Sequence, residues 1–481
     1  PKLKGEGQWV DVYDFDLRNT GAPPALLKTV LRPDPKRPHA AVRIVLIDPR
    51  QVDLHVVAGT KHPESTTGLH GDGIIPRDKE TMSRLLGAFN GGFKTMHGAY
   101  GMMVKGKVIV GMSGAEYPTR LWIDALDSAT GAQVWRRYTI PAPGEPGADT
   151  WGDKDPEASN FGGGSTWITG SYDAALDTLY WSTGNPNPDW DGMGRIGDNL
   201  YTNSTLALNP DDGSIKFHYQ YTPWDVWDFD GVNETILADI GGKKVWLHGD
   251  RNGFLYNIDR TNGKFVWAKE ISKVNWAKGF TPEGRPIVDP AKVPTYQNKA
   301  MNVCPASEGG KWWNPMSYSP KTMMVVVPSR EICVDILAGK SERVEGKYNL
   351  GIAEADWIKG YGQLVGFDAT TGEKKWQVVA PSPFTSGVLT TAGNLAFAGT
   401  PEGEFKAYDI SSGEELWSYQ TGSGIVGSPV SFSIDGKQYI AVPSGWGGWT
   451  GWATWGGKGG APHLKDMRKG GTIFVFALFD R

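Results

Sequence analysis

Two carboxylates lie two residues apart in the string Trp227-Asp228-Phe229-Asp230-Gly231. Residues i and i+2 of a strand point to the same side, so a strand-like segment would present both carboxylates together. Such a pair suits a cation of higher charge, because hard cations prefer oxygen ligands. In the plainer interpretation, Asp230 caps a turn before Gly231. The spacing therefore indicates either a metal site or a turn cap.

Three further polar residues could take part in the same chemistry. Glu116 and Asn185 carry side-chain oxygens in two other glycine-containing strings, and Arg251 lies in the string Asp250-Arg251-Asn252-Gly253. A guanidinium can donate two hydrogen bonds at once, and a carboxylate can accept a proton as a general base. The alternative is that these residues occupy unrelated turns and that Arg251 is an ordinary hairpin residue.

A nine-residue pattern predicts the elements that must position these side chains. It consists of Asp or Asn, a glycine four residues later and an aromatic residue after four more. Asp or Asn starts a turn through its side chain, glycine takes the positive φ that a hairpin needs, and the aromatic residue begins the next strand. The pattern predicts units of roughly 40–50 residues, which are typical of β-propeller blades; the alternative is a β-sandwich with recurring hairpins. Five copies occur, at Asp127-Gly131-Trp135, Asn209-Gly213-Phe217, Asp259-Gly263-Trp267, Asp368-Gly372-Trp376 and Asp409-Gly413-Trp417.

Composition and charge exclude several classes of protein. The 481 residues include 64 glycines and 32 prolines, which disfavour a helical bundle. A hydrophobic share of 39% with 21% charged residues argues against disorder. The net charge of −4 comes without a long basic run, which argues against nucleic-acid binding. No apolar stretch approaches the roughly 20 residues of a membrane helix, and the start at Pro1, without a signal peptide, indicates a mature or fragment sequence.

Residues 105–481 resemble the C-terminal two thirds of the quinoprotein alcohol dehydrogenases. The resemblance implies an all-β fold: a partial eight-bladed quinoprotein β-propeller of about five to six blades. It also implies pyrroloquinoline quinone (PQQ) as the cofactor, with a lanthanide ion or Ca²⁺. Seven strings carry it in family order, at residues 111–117, 162–167, 182–186, 197–199, 222–233, 249–253 and 445–449.

The same resemblance assigns roles to individual residues. Asp228 matches the catalytic base, and the second aspartate, Asp230, resembles the lanthanide-dependent branch, since calcium enzymes tend to carry a small residue there. Trp167 matches the tryptophan that stacks on the quinone, although it could instead pack between blades. The implied metal ligands are Glu116, Asn185, Asp228 and Asp230, and the implied quinone contacts are Ser113, Gly114, Ala115, Ser165, Trp167, Arg251 and Trp449.

The resemblance further implies an activity and a setting. The expected reaction is oxidation of a primary alcohol to an aldehyde, with a c-type cytochrome as the electron acceptor and a periplasmic location. The family has a structural disulfide at positions that match Cys304 and Cys333. However, its N-terminal blades and their adjacent cysteine pair have no counterpart here. A non-catalytic propeller fragment or binding protein is therefore the alternative.

Residues 1–104 contain no copy of the nine-residue repeat. Residues 40–103 resemble part of the phosphodiester glycosidase family through the strings at 88–94 and 97–103. We therefore predict two domains: a small α+β segment from another fold at 1–104, and the propeller at 105–481. Two partial domains that meet in one short string indicate a chimera or truncated fusion. A third functional hypothesis is hydrolysis of a sugar phosphodiester by the N-terminal segment.

Overall fold

The computed structural model describes residues 102–152, 157–344, 347–434, 436–446, 463–464, 467–468 and 470–478, together with three strands nearer the N terminus. The chain divides into two compact units, Pro1–Tyr100 with Asp127–Ala132 and Gly101–Leu126 with Gln133–Arg481. Most of the predicted phosphodiester glycosidase segment lies outside the described residues. The division of the chain at residue 104 remains a prediction.

The first unit contains one antiparallel sheet among its described residues. Its strands are β1 (Val10–Asp11), β2 (Leu26–Leu31) and β3 (Val42–Ile47), and β2 lies in the middle. In the β2–β3 pair, Leu26 lies opposite Ile47 and Leu31 lies opposite Val42.

In the second unit, the described residues form six successive antiparallel sheets, A to F. Sheets A, B, C and E have four strands, sheet D has five and sheet F has three. The strands of A are β4 (Met102–Val104), β5 (Lys107–Gly111), β7 (Trp122–Asp127) and β8 (Gln133–Tyr138), and those of B are β10 (Ser171–Asp173), β11 (Thr178–Ser182), β12 (Ser204–Leu208) and β13 (Ile215–Gln220). The strands of C are β14 (Ile236–Ile240), β15 (Lys243–Gly249), β16 (Phe254–Asp259) and β17 (Phe265–Glu270), and those of D are β20 (Ala300–Val303), β21 (Ser317–Ser319), β22 (Met324–Ala338), β23 (Ile352–Asp368) and β24 (Lys374–Ala380). The strands of E are β25 (Val388–Thr390), β26 (Leu395–Gly399), β27 (Glu404–Asp409) and β28 (Glu415–Gln420), and those of F are β29 (Val430–Ile434), β30 (Lys437–Ser444) and β31 (Thr472–Ala477).

A few short elements lie between these sheets. Strand β6 (Thr119–Arg120) pairs in parallel with β9 (Gly162–Gly163), and β18 (Ala277–Phe280) forms a hairpin with β19 (Pro286–Val288). The 3₁₀ helices are Ala148–Trp151, Ala158–Phe161 and Pro290–Lys292. Between sheets A and B, and between sheets C and D, the copies of the repeat lie further apart than one unit of roughly 40–50 residues. Insertions between these sheets account for the extra length.

All five copies of the repeat form the same turn. Each turn joins the last two strands of its sheet, and each turn glycine has a φ between 70° and 76°. The glycine N–H donates to the carbonyl of the Asp or Asn at 2.8–2.9 Å. L-residues with a side chain seldom adopt this conformation, so the backbone of the turn requires glycine at this position.

Four contacts between an aromatic residue and a glycine connect consecutive sheets. In each, the aromatic residue of one repeat packs on the turn glycine of the next, so closely that an added Cβ would lie 2.5–3.0 Å from the ring. The pairs are Trp135–Gly213, Phe217–Gly263, Trp267–Gly372 and Trp376–Gly413. The fifth aromatic residue, Trp417, instead meets Phe476 of sheet F edge-on, with ring centroids 5.2 Å apart.

Apolar clusters fill the spaces between neighbouring sheets. Leu179 and Leu206 of sheet B share a cluster with Ile123 of sheet A, and further clusters join B to C, C to D, D to E and E to F. Sheets that pack pairwise in chain order are the arrangement of a propeller, so the predicted fold is confirmed.

The two cysteines form a disulfide, as the family resemblance implied. Cys304 follows β20 and Cys333 lies in the neighbouring strand β22, with 4.5 Å between their Cα atoms. Among the described residues, no helix has the length and apolar character needed to cross a membrane.

Candidate metal and quinone site

The predicted site residues come from loops at the ends of sheets A, B and C. Glu116 follows β5, Ser165 and Trp167 follow β9, and Asn185 follows β11. Asp228 and Asp230 lie between β13 and β14, and Arg251 follows β15. The regular sheets thus carry irregular loops to one region, which is the usual division between scaffold and site.

The segment around Asp228 is a loop, so the prediction of a strand-like segment is wrong. Asp228 and Asp230 both have positive φ values, 60° and 42°. The carboxylate of Asp225 holds this conformation, because it accepts the backbone N–H groups of Trp227 at 2.9 Å and Phe229 at 2.8 Å. Sequence reasoning missed Asp225, although an aspartate that precedes N–H groups at i+2 and i+4 is the usual sign of such a turn.

The carboxylate of Asp230 faces other site residues. Its Oδ2 accepts a hydrogen bond from Nη2 of Arg251 at 2.8 Å, and its Oδ1 lies 3.4 Å from the hydroxyl of Ser165. Gly184 lies directly against this pair, since an added Cβ there would be 2.1 Å from both the carboxylate oxygen and the hydroxyl. Asp230 therefore has partners across the site, and the turn-cap interpretation does not account for them.

Arg251 lies in a tight turn, but it is not an ordinary surface residue. Its side chain is buried, and its Nε has no hydrogen-bond partner among the described residues. The turn is fixed by Asp250, whose carboxylate accepts the Asn252 N–H at 2.9 Å and lies 3.1 Å from Nε2 of the buried His248. A rigid turn thus presents a guanidinium with an unused donor.

Trp312 separates two buried guanidinium groups at the edge of this region. The guanidinium of Arg330 lies 4.2 Å from its ring centroid, and that of Arg251 lies 6.0 Å away. Cation–π contact with the Trp312 ring can stabilise both charges.

Asn185 has a partner that the sequence did not reveal. Its Nδ2 donates to Oδ1 of Asp189 at 3.0 Å and to the carbonyl of Pro186 at 3.3 Å. Both side chains of the Asn185–Asp189 pair are buried. The amide nitrogen is thus engaged, and the amide oxygen is left free to coordinate a cation.

The strip that contains Ser113, Gly114, Ala115 and Glu116 forms one border of the site. The carbonyl of Ala115 accepts Nδ2 of Asn187 at 2.8 Å. The side chains of Ser113 and Glu116 are exposed. Glu116 therefore stands at the rim, and its carboxylate does not lie among the buried groups.

Trp167 is half-buried, and none of the apolar clusters in the described part of the chain contains it. This argues against the alternative that Trp167 packs between blades. Trp449 lies outside the described residues, so its predicted role stays a prediction.

The site carries more negative than positive charge. Burial, and next the charge of Asp189, raises the pKa of Asp228 well above its usual range. Burial, and next the charge of Glu116, raises the pKa of Asp189. Burial raises the pKa of Asp230 to about 7, although Arg251 opposes this shift. Carboxylates that raise one another's pKa in this way are relieved when a cation binds among them.

These residues fit a hard cation and a carbonyl-bearing ligand by their chemistry. The buried donors are oxygens, and Arg251 offers an unpaired Nε. They do not form a closed coordination shell, because no three His, Cys, Asp or Glu residues of the described chain converge at metal-binding distance. Arg251 instead contacts Asp230, and Glu116 points outward.

Comparison with known proteins places this site in a family. The sequence profile for the PQQ-dependent glucose, ethanol and alcohol dehydrogenase β-propeller domain matches residues 90–278 and 360–440. The quinoprotein alcohol dehydrogenase PedH of Pseudomonas putida is 40% identical over 410 residues, which cover 78% of this chain and 67% of PedH. The lanthanide-dependent methanol dehydrogenase of Methylacidiphilum fumariolicum is 39% identical over 382 residues, covering 72% of this chain and 61% of that protein.

A solved structure gives the same result. A europium-containing methanol dehydrogenase superposes with a TM-score of 0.73 at 37% identity, covering 78% of this chain and 73% of that one. The chain spans about two thirds or less of the length of the two curated relatives above.

The N-terminal predictions fare differently. The profile match begins at residue 90, inside the segment for which the sequence indicated another family. Neither the phosphodiester glycosidase resemblance nor the chimera is supported by these comparisons. Because the profile covers more than half of the 481 residues, the chain belongs to the PQQ-dependent alcohol dehydrogenase family, as part of its β-propeller domain.

Proposed function

We propose that this chain oxidises a primary alcohol to an aldehyde, with Asp228 as the base. The observation that carries the proposal is the contact of Arg251 with Asp230 beside Asp228, in a buried and acidic loop region. Bound PQQ would supply the two-electron acceptor, and a bound cation would supply positive charge beside it. Glu116, Asn185, Asp228 and Asp230 would hold the cation, and Ser113, Gly114, Ala115, Ser165, Trp167, Arg251 and Trp449 would contact the quinone.

The chain's own residues would bind, orient and deprotonate. Oxidation of an alcohol removes a hydride from carbon and a proton from the hydroxyl, and Asp228 would accept that proton. Burial raises the pKa of Asp228, and an ionised carboxylate with a raised pKa is a stronger proton acceptor. Arg251 would orient the quinone through its guanidinium, and Trp167 would stack on the ring.

Asp230 favours a lanthanide over Ca²⁺ in this proposal. It adds a carboxylate where the calcium enzymes tend to carry a small residue, and the lanthanide-dependent methanol dehydrogenase of Methylacidiphilum fumariolicum is 39% identical to this chain. More negative charge in the site selects for a trivalent cation through Coulomb's law.

The partner and the location follow from separate observations. A relative named 1-butanol dehydrogenase (cytochrome c), from Thauera butanivorans, is 35% identical, which supports a c-type cytochrome as the electron acceptor. The Cys304–Cys333 disulfide supports an oxidising compartment, for which we propose the periplasm.

Reconstitution of the chain tests this proposal. PQQ is added with La³⁺ or with Ca²⁺, and oxidation of ethanol and 1-butanol is followed by dye reduction. We expect turnover with La³⁺, little with Ca²⁺, and a shift toward Ca²⁺ in Asp230→Ala. Equal rates without bound lanthanide would contradict the metal assignment. Bound quinone without turnover would favour a non-catalytic propeller, and hydrolysis of a sugar phosphodiester would favour the third hypothesis.

A further inference from the structure

The loop after β11 buries a carboxylate that the proposed mechanism does not use. Asp189 is 1% exposed and lies four residues beyond Asn185. Its backbone is fixed, because Arg195 donates to its carbonyl at 3.3 Å and to the carbonyl of Pro188 at 2.7 Å. In the same loop, Nδ2 of Asn187 donates a hydrogen bond to the carbonyl of Ala115 at 2.8 Å. The carboxylate is therefore held in one place.

The carboxylate of Asp189 is only partly compensated by the protein, because the charge of Arg195 acts on it without a direct ion pair among the described residues. Among the described residues, only Nδ2 of Asn185 donates to it, at 3.0 Å. The nearby Arg195 is also buried, but its N–H groups go to backbone carbonyls and to Oδ1 of Asn199. By contrast, the equally buried Asp225 accepts three hydrogen bonds, from Asn203, Trp227 and Phe229. A buried charge with one neutral donor is costly unless a cation joins it.

The contact also settles how the Asn185 amide is turned. Both hydrogens of its Nδ2 have acceptors, Asp189 and the Pro186 carbonyl. Its Oδ1 has no donor among the described residues, and it is not a fully enclosed atom. The oxygen is therefore left without a hydrogen-bond partner, and the charges of Glu116 and Asp230 act on the neighbouring Asp189.

We propose that Asp189 is a positioning residue for the cation site, which orients the Asn185 amide and adds a buried negative charge that favours a trivalent ion. This inference rests on the proposed function, since it assumes that Asn185 binds the cation. Asp189 would act through a hydrogen bond to the ligand and through its charge. Outer residues that orient metal ligands typically change affinity by about 10- to 100-fold when they are replaced.

The test is metal binding by the full chain, with and without PQQ. Tb³⁺ is titrated by tryptophan-sensitised luminescence, and La³⁺ and Ca²⁺ are then added as competitors. Asp189→Asn keeps an acceptor for Asn185 and removes the charge. It should therefore lower the affinity for Tb³⁺ by about tenfold or more, and the affinity for Ca²⁺ by less. Asp189→Ala removes both the acceptor and the charge, so it should lower the affinity for both cations.

A buried aspartate two positions along serves as the matched control. Asp191 accepts the hydroxyl of Tyr296 at 2.7 Å and the N–H of Ser341 at 3.0 Å, and it has no contact with Asn185. Asp191→Asn should leave the preference between Tb³⁺ and Ca²⁺ unchanged. Thermal unfolding of each variant shows whether it is folded, and the isosteric Asp189→Asn decides the matter if Asp189→Ala does not fold.

A double-mutant cycle separates positioning from a general loss of packing. If Asp189 orients Asn185, replacing Asp189 by Ala should cost much less Ca²⁺ affinity in an Asn185→Ala background. Wild-type affinities in Asp189→Asn, or equal losses in both backgrounds, would overturn the inference while the proposed function stands. A wild-type chain that binds neither Tb³⁺ nor Ca²⁺ would overturn the proposed metal site and this inference together.

Discussion

Nη2 of Arg251 lies 2.8 Å from Oδ2 of Asp230, while Nε of the same guanidinium has no acceptor among the described residues. One side chain thus joins the acidic loop to the turn after β15, and in the proposed function its guanidinium also donates to the quinone. A lysine has one charged nitrogen in place of a planar fork, so it cannot do both.

Arg251→Lys should therefore weaken PQQ binding by about tenfold or more, because a charge-assisted hydrogen bond is lost. Quenching of tryptophan fluorescence during a PQQ titration measures the affinity. Arg285→Lys is the matched control, since Arg285 pairs with Asp198 at the surface. Equal PQQ affinities in the two variants would contradict the role of Arg251.

Asp228→Asn should remove the proton acceptor and lower turnover by about 10²- to 10⁴-fold at saturating metal and quinone. The rate of dye reduction is the measurement, and bound quinone is quantified in the same sample. Asp239→Asn, at an exposed carboxylate of sheet C, should retain the wild-type rate. A fully loaded Asp228→Asn protein with normal turnover would refute the assignment.

The metal-free chain should lose stability as the pH rises toward neutral. Burial raises the pKa of Asp230 to about 7, against about 3.9 for an unfolded aspartate. Between about pH 4 and pH 7 the folded state binds more protons than the unfolded state, so the free energy of unfolding contributed by this group falls. Urea unfolding across this range should show a smaller fall in Asp230→Asn. A bound cation should restore stability at pH 7.

Gly184→Ala should disturb the site more than the fold. An added Cβ would lie 2.1 Å from Oδ1 of Asp230 and from Oγ of Ser165, so the carboxylate must move. We expect Tb³⁺ affinity to fall by about tenfold or more, as for other changes that misplace a ligand. Gly393→Ala is the control, because the nearest atom to its added Cβ would be 3.6 Å away. Similar affinities in both variants would contradict a strict requirement at Gly184.

The propeller could be predicted because its signal is local. The spacing from Asp259 to Gly263 and Trp267 encodes a complete turn and the start of the next strand, and the same spacing recurs in four other sheets. The contacts between sheets then follow, since each aromatic residue meets the next turn glycine.

The site was harder to predict, because its geometry depends on loops. Asp228 and Asp230 take left-handed conformations that alternation alone does not suggest, and the carboxylate of Asp225 imposes them. The pairing of Asp189 with Asn185 depends on how the loop turns between them, and no repeat or residue type signals it.

The contacts between aromatic residues and glycines also set an order of unfolding. Stacked repeats are stabilised mainly by their neighbours, and sheets A to E are joined by four such contacts, whereas the described residues Trp417 of sheet E and Phe476 of sheet F meet ring to ring. We expect the backbone amides of β29–β31 to exchange with deuterium before those of β14–β17, as measured by mass spectrometry. Sheets D and E lie between this weaker end and the loops that carry Asn185, Asp228 and Arg251. Opening of the last sheet should therefore leave cation binding intact, so that the chain can lose part of its scaffold before it loses its cation ligands.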